Sequence, residues 1–308
     1  MIKIDKIFNG NSVNVVFCTN NKYAKYMMVA LQSLISNTSK DRNYDIIIFE
    51  TDMDTELKET VQKMGKDNIS VRCLNVNSIY DEFDTEKLFC HIYFSKEMYL
   101  RLFIPEILND YDKAIYLDCD TIVEADIAGL FDMDLEDNYL AAVKDYNSIV
   151  NISCYPKVKY YFEDLIKIPD MKNYFNSGVL LMNLTELRNI DLPKKTFELL
   201  DKYKELLYPD QDLLNLICSG KVKIIHNGWN SIFGINAALV QNNAFLEFAI
   251  DWSKGLADQK IIHYISEYKP WNTPEMSYAD IWWKYAKETP VYQVLLKEYF
   301  DEHPEKLA

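Results

Sequence analysis

The chain has 308 residues, of which 49% are hydrophobic, 26% charged and 14% aromatic. So much apolar material excludes a disordered chain, and the scarcity of Gly (8) and Pro (9) excludes collagen-like and low-complexity ones. Thirty-three basic against 47 acidic residues give a net charge of −14, which repels phosphate backbones and argues against nucleic-acid binding, though not against a small phosphorylated ligand at a local positive spot.

The first 150 residues alternate strand and helix patterns. Val13–Cys18 (VNVVFC) reads as a short apolar strand. Tyr23–Ile35 then sets Tyr26, Met27, Ala30, Leu31, Leu34 and Ile35 on one face of a helix. Asp45–Phe49 (DIIIF) is a second strand, and Asp54–Met64 an amphipathic helix with Gly65 as its predicted C-cap. Ile69–Leu74 is a third strand and Lys113–Leu117 (KAIYL) a fourth. Strands separated by helices require crossovers, so an α/β fold is predicted, with a mixed, mostly parallel sheet covered by helices on both faces. Such sheets bind ligands at the carboxyl ends of their strands, where strand order reverses.

Farther on, Tyr174–Asn183 contains an apolar strand, Pro193–Leu207 and Asp210–Ser219 read as helices, and Val222–His226 is another strand. No Pro- or Gly-rich linker interrupts the chain, which suggests one domain, residues 1–271, followed by a C-terminal extension, residues 272–308. The extension is rich in aromatics (Trp282, Trp283, Tyr285, Tyr292, Tyr299, Phe300) and fits two short helices docked on the core or on a partner. Peripheral contact with a membrane is the alternative, and its acidic tail argues against it because anionic lipid attracts basic segments. Six cysteines are scattered without a Cys-x-x-Cys pair, the start MIKIDKIFNG lacks the apolar core of a signal peptide, and no run of 18 apolar residues exists. A reduced, cytoplasmic chain is expected, peripheral at the inner face of the membrane if the extension touches lipid.

Chemistry concentrates in a few places. Asp118-Cys119-Asp120 follows the KAIYL strand, and alternation sends side chains i and i+2 to the same side. Two carboxylates at a strand end can hold one hard cation such as Mn²⁺ or Mg²⁺. Asp-x-Asp alone is a weak signal, since the chain holds five such pairs. Only Asp118/Asp120 lies squarely at the carboxyl end of a buried-type strand. In IIHYISEYKPW, His263 could add a nitrogen ligand and Lys269 a positive charge near an anion; an ordinary structural histidine is the plain alternative. Asn176-Ser177-Gly178 reads either as a turn entering a core strand or as hydroxyl-binding groups. Asp210-Gln211-Asp212 opens a helix, where capping competes with a place at a pocket rim.

In their order along the chain, NVVFCTNNKYAKYMMVALQSL, YLRL, AIYLDCDTIVEADIAGLFDMDL, YFNSGVLLMNL, DQDLLN and HYISEYKPW resemble glycosyltransferase family 8. This is the family of bacterial lipopolysaccharide glucosyl- and galactosyltransferases and of glycogenin. The resemblance, from about Val13 to Trp271, implies a nucleotide-diphospho-sugar transferase (GT-A-like) fold, a Mn²⁺ cofactor with Mg²⁺ as the alternative, and transfer of a hexose with retention. It also implies site residues. Asp118, Asp120 and His263 match the metal ligands, and Lys269 a lysine contacting the donor diphosphate. Cys18, Asn20 and Tyr23 match the loop holding the nucleotide base, and Arg101 an arginine near the donor. Asp145, Asn176 and Gly178 match the donor-sugar pocket, and Asp210 and Gln211 the pair beside the anomeric carbon. Three positions depart from the pattern: Asn20 replaces an Asp that accepts the uracil imide proton, Lys22 an Asn, and Ser266 a glycine.

The expected reaction moves glucose or galactose from a UDP-sugar to a glycan acceptor, with a cell-surface saccharide as the leading class. Gln211 is a poor nucleophile, which favours front-face attack over two displacements. Leu88–Lys96 (LFCHIYFSK) is expected to close over bound donor; a fixed loop is the blander alternative. Two other classes compete. Asp118-Cys119-Asp120-Thr121 is similar to the nucleophile loop of haloacid-dehalogenase phosphohydrolases, although that loop usually follows the first strand rather than the fourth. A non-catalytic nucleotide-sugar-binding relative is the other.

Overall fold

The computed structural model describes residues 4–8, 10, 12–82, 87–88, 95–232 and 246–304. Residues 89–94, which form most of the expected lid, lie outside the described residues.

Ten strands are described: β1 (Ser12–Thr19), β2 (Asn43–Glu50), β3 (Ile69–Asn75), β4 (Lys113–Leu117), β5 (Thr121–Val123), β6 (Leu140–Lys144), β7 (Phe175–Asn183), β8 (Val222–Ile224), β9 (Ser231–Ile232) and β10 (Ile261–His263). Seven make the main sheet in the order β3-β2-β1-β4-β7-β6-β8, and β5-β10-β9 make a small second one. In the main sheet only the pairs made by β7, with β4 and with β6, are antiparallel. The expected mixed, mostly parallel sheet is what the chain forms.

Strand alternation divides the core between the two faces of this sheet. Val13, Val15 and Phe17 of β1, with Tyr44, Ile46 and Ile48 of β2, pack in the cluster that contains the helix Ala24–Ser36. Val16, Cys18, Ile47 and Phe49 join the opposite cluster, with the helices Leu192–Lys202 and Pro209–Ile217. Burial on both faces explains why β1 and β2 are continuous apolar runs. The chain leaves β1 toward β2 on one side, and β4 flanks β1 on the other. Strand order therefore reverses between β1 and β4, and the crevice at their carboxyl ends is the place for a ligand.

Gly65 does not cap its helix. The helix ends at Gln62 with Lys63 at the C-cap, and Gly65 has no left-handed φ. A Cβ there would lie 2.9 Å from the carbonyl oxygen of Ile69, so glycine is required by the close return of the chain into β3.

Beyond residue 272 the helix Ala279–Ala286 lies against the helix Ala24–Ser36, and the helix Tyr292–Glu302 is tied to that same first helix by an ion pair. Trp282 is fully buried, Asn37 Nδ2 donates to the Tyr285 hydroxyl at 2.9 Å, and Lys25 pairs with Glu298. Trp282 and Trp283 meet edge to face, and the Trp283 indole donates to the Pro270 carbonyl at 2.8 Å. These contacts turn aromatic area toward the protein and leave the membrane-contact alternative without support. Among the described residues no helix is long and apolar enough to cross a membrane.

Candidate active site

The site begins where β4 ends. Thr121 Oγ1 donates to the Asp118 carbonyl at 2.8 Å and closes a tight turn through Asp118-Cys119-Asp120. Cys119 points into the core, its thiol 3.2 Å from the Cys18 carbonyl, and burial pushes that thiol's pKa well up. Across that turn the carboxylates of Asp118 and Asp120 both face His263.

The small sheet supplies the third group. β10 runs antiparallel to β5 with His263 opposite Thr121, and the Tyr264 N–H donates to the Asp120 carbonyl at 3.0 Å. That register sets His263 Nε2 3.2 Å from Asp120 Oδ1 and 3.6 Å from Asp118 Oδ2. One ligand atom from each of the three residues lies within 4.8 Å of the others. Two oxygen or nitrogen atoms bound cis to one octahedral ion lie about 3.0 Å apart, so these separations suit a shared divalent cation. Gly178 is the floor of the site. A Cβ at that position would lie 2.2 Å from His263 Cε1 and 2.6 Å from Asp118 Oδ2. The carboxylate and the imidazole fill the room that a side chain would need.

Positive charge surrounds the pair of carboxylates. Lys269 Nζ donates to Asp120 Oδ2 at 2.6 Å and to the Tyr264 carbonyl. Burial alone would raise the carboxyl of Asp120, but Lys269 and His263 more than reverse this and hold it well below the usual range. Arg101 is buried at 5% exposure beneath Asp118. Its Nη2 donates to Asp118 Oδ1 at 2.8 Å, its Nη1 to the Ser177 carbonyl at 2.9 Å, and its Nε lies 3.1 Å from Asp210 Oδ2. Its guanidinium is thus occupied by the protein, and it bears on a ligand through Asp118 and Asp210.

The antiparallel strand β7 begins at the same crevice, and Gly178 accepts the Asp118 N–H at 2.8 Å. The helix Pro209–Ile217 starts beside it. Ser177 Oγ donates to Asp210 Oδ2 at 2.8 Å, and burial raises the carboxyl of Asp210. Asn176 Nδ2 donates to Gln211 Oε1 at 3.1 Å, and Gln211 Nε2 to Asp145 Oδ2 at 2.8 Å. Asp145 follows β6 and caps the helix Tyr146–Cys154 by accepting the Ser148 N–H at 2.9 Å. Metal candidates and sugar-pocket candidates therefore form one connected cluster.

The nucleotide-loop residues lie at the end of β1 and are held more loosely. Asn20 Oδ1 accepts the Tyr23 N–H at 2.9 Å, and Asn20 Nδ2 donates to Glu97 Oε2 at 3.2 Å. The half-buried Tyr23 ring meets Tyr26 and Trp271 edge to face. Cys18 is buried, and its thiol faces the core rather than the crevice surface. Ser266 turns its hydroxyl onto the Tyr268 carbonyl at 2.8 Å.

Two residues at the site had no part in the sequence reading. Glu97 accepts from Asn20 and, at 2.8 Å, from the Thr51 hydroxyl, which returns a carboxylate to the place where Asn20 lacks one. Asn230, at 1% exposure, has its Oδ1 2.9 Å from His263 Nδ1. Neither residue lies in a motif. The one hint for Asn230 is a polar residue set between the apolar Trp229 and Ile232.

Residues 14–274 match the family model described as Glycosyl transferase family 8. A protein named as a glycosyltransferase from Haemophilus influenzae is 29% identical over 71% of this chain and 63% of its own length. The Escherichia coli lipopolysaccharide 1,2-glucosyltransferase is 26% identical over 88% of this chain and 79% of its own. Among solved structures, the bifunctional glycosyltransferase WbbM superposes with a TM-score of 0.83 at 26% identity, covering 96% of this chain and 52% of that one. The galactosyltransferase LgtC in complex with donor and acceptor sugar analogues superposes with a TM-score of 0.73 at 25% identity, covering 90% and 96%. The chain thus spans about half to two thirds of the length of some relatives and nearly all of others. A match over most of the chain leaves the phosphohydrolase reading unsupported. The chain belongs to glycosyltransferase family 8.

Proposed function

We propose that this chain is a metal-dependent, retaining hexosyltransferase that moves glucose or galactose from a UDP-sugar to a glycan acceptor. The observation that carries the proposal is the convergence of Asp118, Asp120 and His263 at the strand-order reversal between β1 and β4. The lipopolysaccharide glucosyltransferase and LgtC among the similar proteins support a hexose donor and a cell-surface saccharide acceptor. We further propose that residues 1–271 form the catalytic domain and 272–308 an extension that braces its first helix.

In this reading the bond between the anomeric carbon and the β-phosphate oxygen breaks, and its electron pair leaves with UDP. The acceptor oxygen bonds to that carbon on the face being vacated, and its proton passes to a β-phosphate oxygen. A divalent cation, preferably Mn²⁺, held by Asp118, Asp120 and His263 would supply charge stabilisation to the departing diphosphate. Lys269 adds a fixed positive charge at the same edge, in a partly buried place where it counts for more than in water. Asp210 and Gln211 steady the positive charge that develops on the sugar. Both amide ends of Gln211 are engaged and the carboxylate of Asp210 is tied to Arg101 and Ser177, which supports front-face attack over a covalent glycosyl intermediate. Asn20, Tyr23 and Glu97 flank the base, Asp145, Asn176 and Gly178 the sugar. Arg101 holds Asp118 in position for the donor.

The test is release of UDP from UDP-glucose and UDP-galactose, with Mn²⁺ and with a chelator, and with oligosaccharides from bacterial surfaces as acceptors. Metal-dependent release from one donor and an α-linked product are expected. Absence of release and transfer from every UDP-hexose would overturn the proposal.

A further inference from the structure

A side-chain amide has a donor end and an acceptor end, so a row of amides has a direction, and donor-only or acceptor-only neighbours decide which. Such a row runs beneath the site. Gln211 Nε2 donates to Asp145 Oδ2 at 2.8 Å, Asn176 Nδ2 to Gln211 Oε1 at 3.1 Å, and Asn230 Nδ2 to Asn176 Oδ1 at 2.8 Å. Asn230 Oδ1 then meets His263 Nδ1 at 2.9 Å. Two backbone N–H groups, which can only donate, fix the direction independently. That of Ser177 points at Gln211 Oε1 at 3.1 Å and that of Gly178 at Asn176 Oδ1 at 2.9 Å. With Asn176 Oδ1 fixed as an acceptor, Asn230 must turn its NH₂ toward it and its carbonyl toward the imidazole. Asp145, Gln211, Asn176, Asn230 and His263 are all at most 7% exposed. Reversing one amide would bury unsatisfied donors and acceptors against each other.

We infer that Asn230 is a positioning residue that pins a proton on His263 Nδ1 and so leaves Nε2 as the ring nitrogen that faces Asp118 Oδ2 and Asp120 Oδ1 and is open to a cation. A carbonyl oxygen can only accept, so the proton shared with it belongs to Nδ1. The inference rests on the metal-site reading above and deepens it: the row of amides connects the sugar-pocket candidates to the metal ligand and orients that ligand before any cation arrives.

The chain has four histidines, few enough to resolve after ¹⁵N-histidine labelling, with a His263→Gln variant to assign the signal. Two-bond ¹H–¹⁵N correlations on metal-free protein, followed upward in pH until one ring proton is lost, should show His263 keeping the proton at Nδ1. Asn230→Leu should lose that preference. Mn²⁺ titration followed by the signal of free Mn²⁺ should show affinity about 10–100-fold weaker in Asn230→Leu. An Nε2–H tautomer in the parent overturns the inference without reference to any variant, and so does an Asn230→Leu protein with parental tautomer and affinity. If the parent binds no Mn²⁺, the metal-site reading fails, while the tautomer of the metal-free parent still decides the inference.

Discussion

The two sides of the crevice are built differently. On the metal and sugar side, Asp118, Asp120, His263, Asn176, Asp210 and Gln211 are held by several partners each, and nearly all of those partners are buried. On the base side, Asn20 and Tyr23 are half-exposed, held by one turn, by the partly buried Glu97 and by edge-to-face rings. A site that must stabilise changing charge gains from groups that need not reorganise, and buried polar networks supply this when fully satisfied. A site that grips a flat base needs area, which rings can supply from more than one arrangement. Variants on the first side should therefore change turnover, metal affinity or stability, and variants on the second should change donor affinity alone.

The largest effect is expected from Asp120→Ala, which removes one ligand and the partner of Lys269. Metal-dependent kcat/KM should fall at least about 1000-fold with the far-UV circular dichroism unchanged; full activity would break the contrast at its centre. Arg101→Met strands Asp118 and Asp210 in the interior and should lower unfolding free energy in urea by about 3–5 kcal/mol.

The same rigidity has a pH signature. Burial pushes the carboxyl of Asp212 from 3.8 up to about 7, against hydrogen bonds from Tyr161 at 2.5 Å and Tyr174 at 2.6 Å. The unfolded chain releases this proton near the ordinary value. Between the two pKa values it binds fewer protons than the folded chain, so this contribution to stability is complete below the lower value and lost as pH rises through the upper. The parent-minus-variant stability difference for Asp212→Asn should therefore fall by up to about 4 kcal/mol from about pH 4 to about pH 7, measured by denaturant unfolding. A flat difference would show the carboxyl to be ionised throughout.

Gly178→Ala tests the fit at the floor of the site. Its methyl group must displace His263 or Asp118, costing about 1–3 kcal/mol, which should appear as Mn²⁺ affinity weakened about 10–100-fold. The smallest effect is expected on the base side. Tyr23→Leu should raise KM for the UDP-sugar about fivefold, about 1 kcal/mol, and leave kcat unchanged. A kcat effect there would erase the distinction between the two sides.

Legibility in the sequence followed the same division. β1, β2 and β4 announce themselves because burial on both faces makes them apolar runs, and β3, at the sheet edge, because buried Ile69 and Val71 alternate with less buried Ser70 and Arg72. Asp118 and Asp120 could be separated from four other Asp-x-Asp pairs because they end such a run. β5, β9 and β10 are two or three residues long and carry no period, yet their pairing is what brings His263 to Asp120 across more than 140 positions. Only the family resemblance could name that histidine as a ligand. Asn230 and Glu97 act through single hydrogen bonds made in three dimensions, and a single polar residue leaves no pattern to read. Gly65 departs from the predicted cap because a glycine after a helix has two uses, a left-handed cap or a close backbone approach, and only the tertiary fold distinguishes them.

The most direct measurement is anomalous diffraction near the manganese edge from crystals soaked with Mn²⁺ and UDP. The expected result is one strong peak bounded by Asp118 Oδ2, Asp120 Oδ1 and His263 Nε2, with the diphosphate against it and Lys269 alongside. A peak elsewhere, with these three side chains turned away from the bound diphosphate, would contradict it.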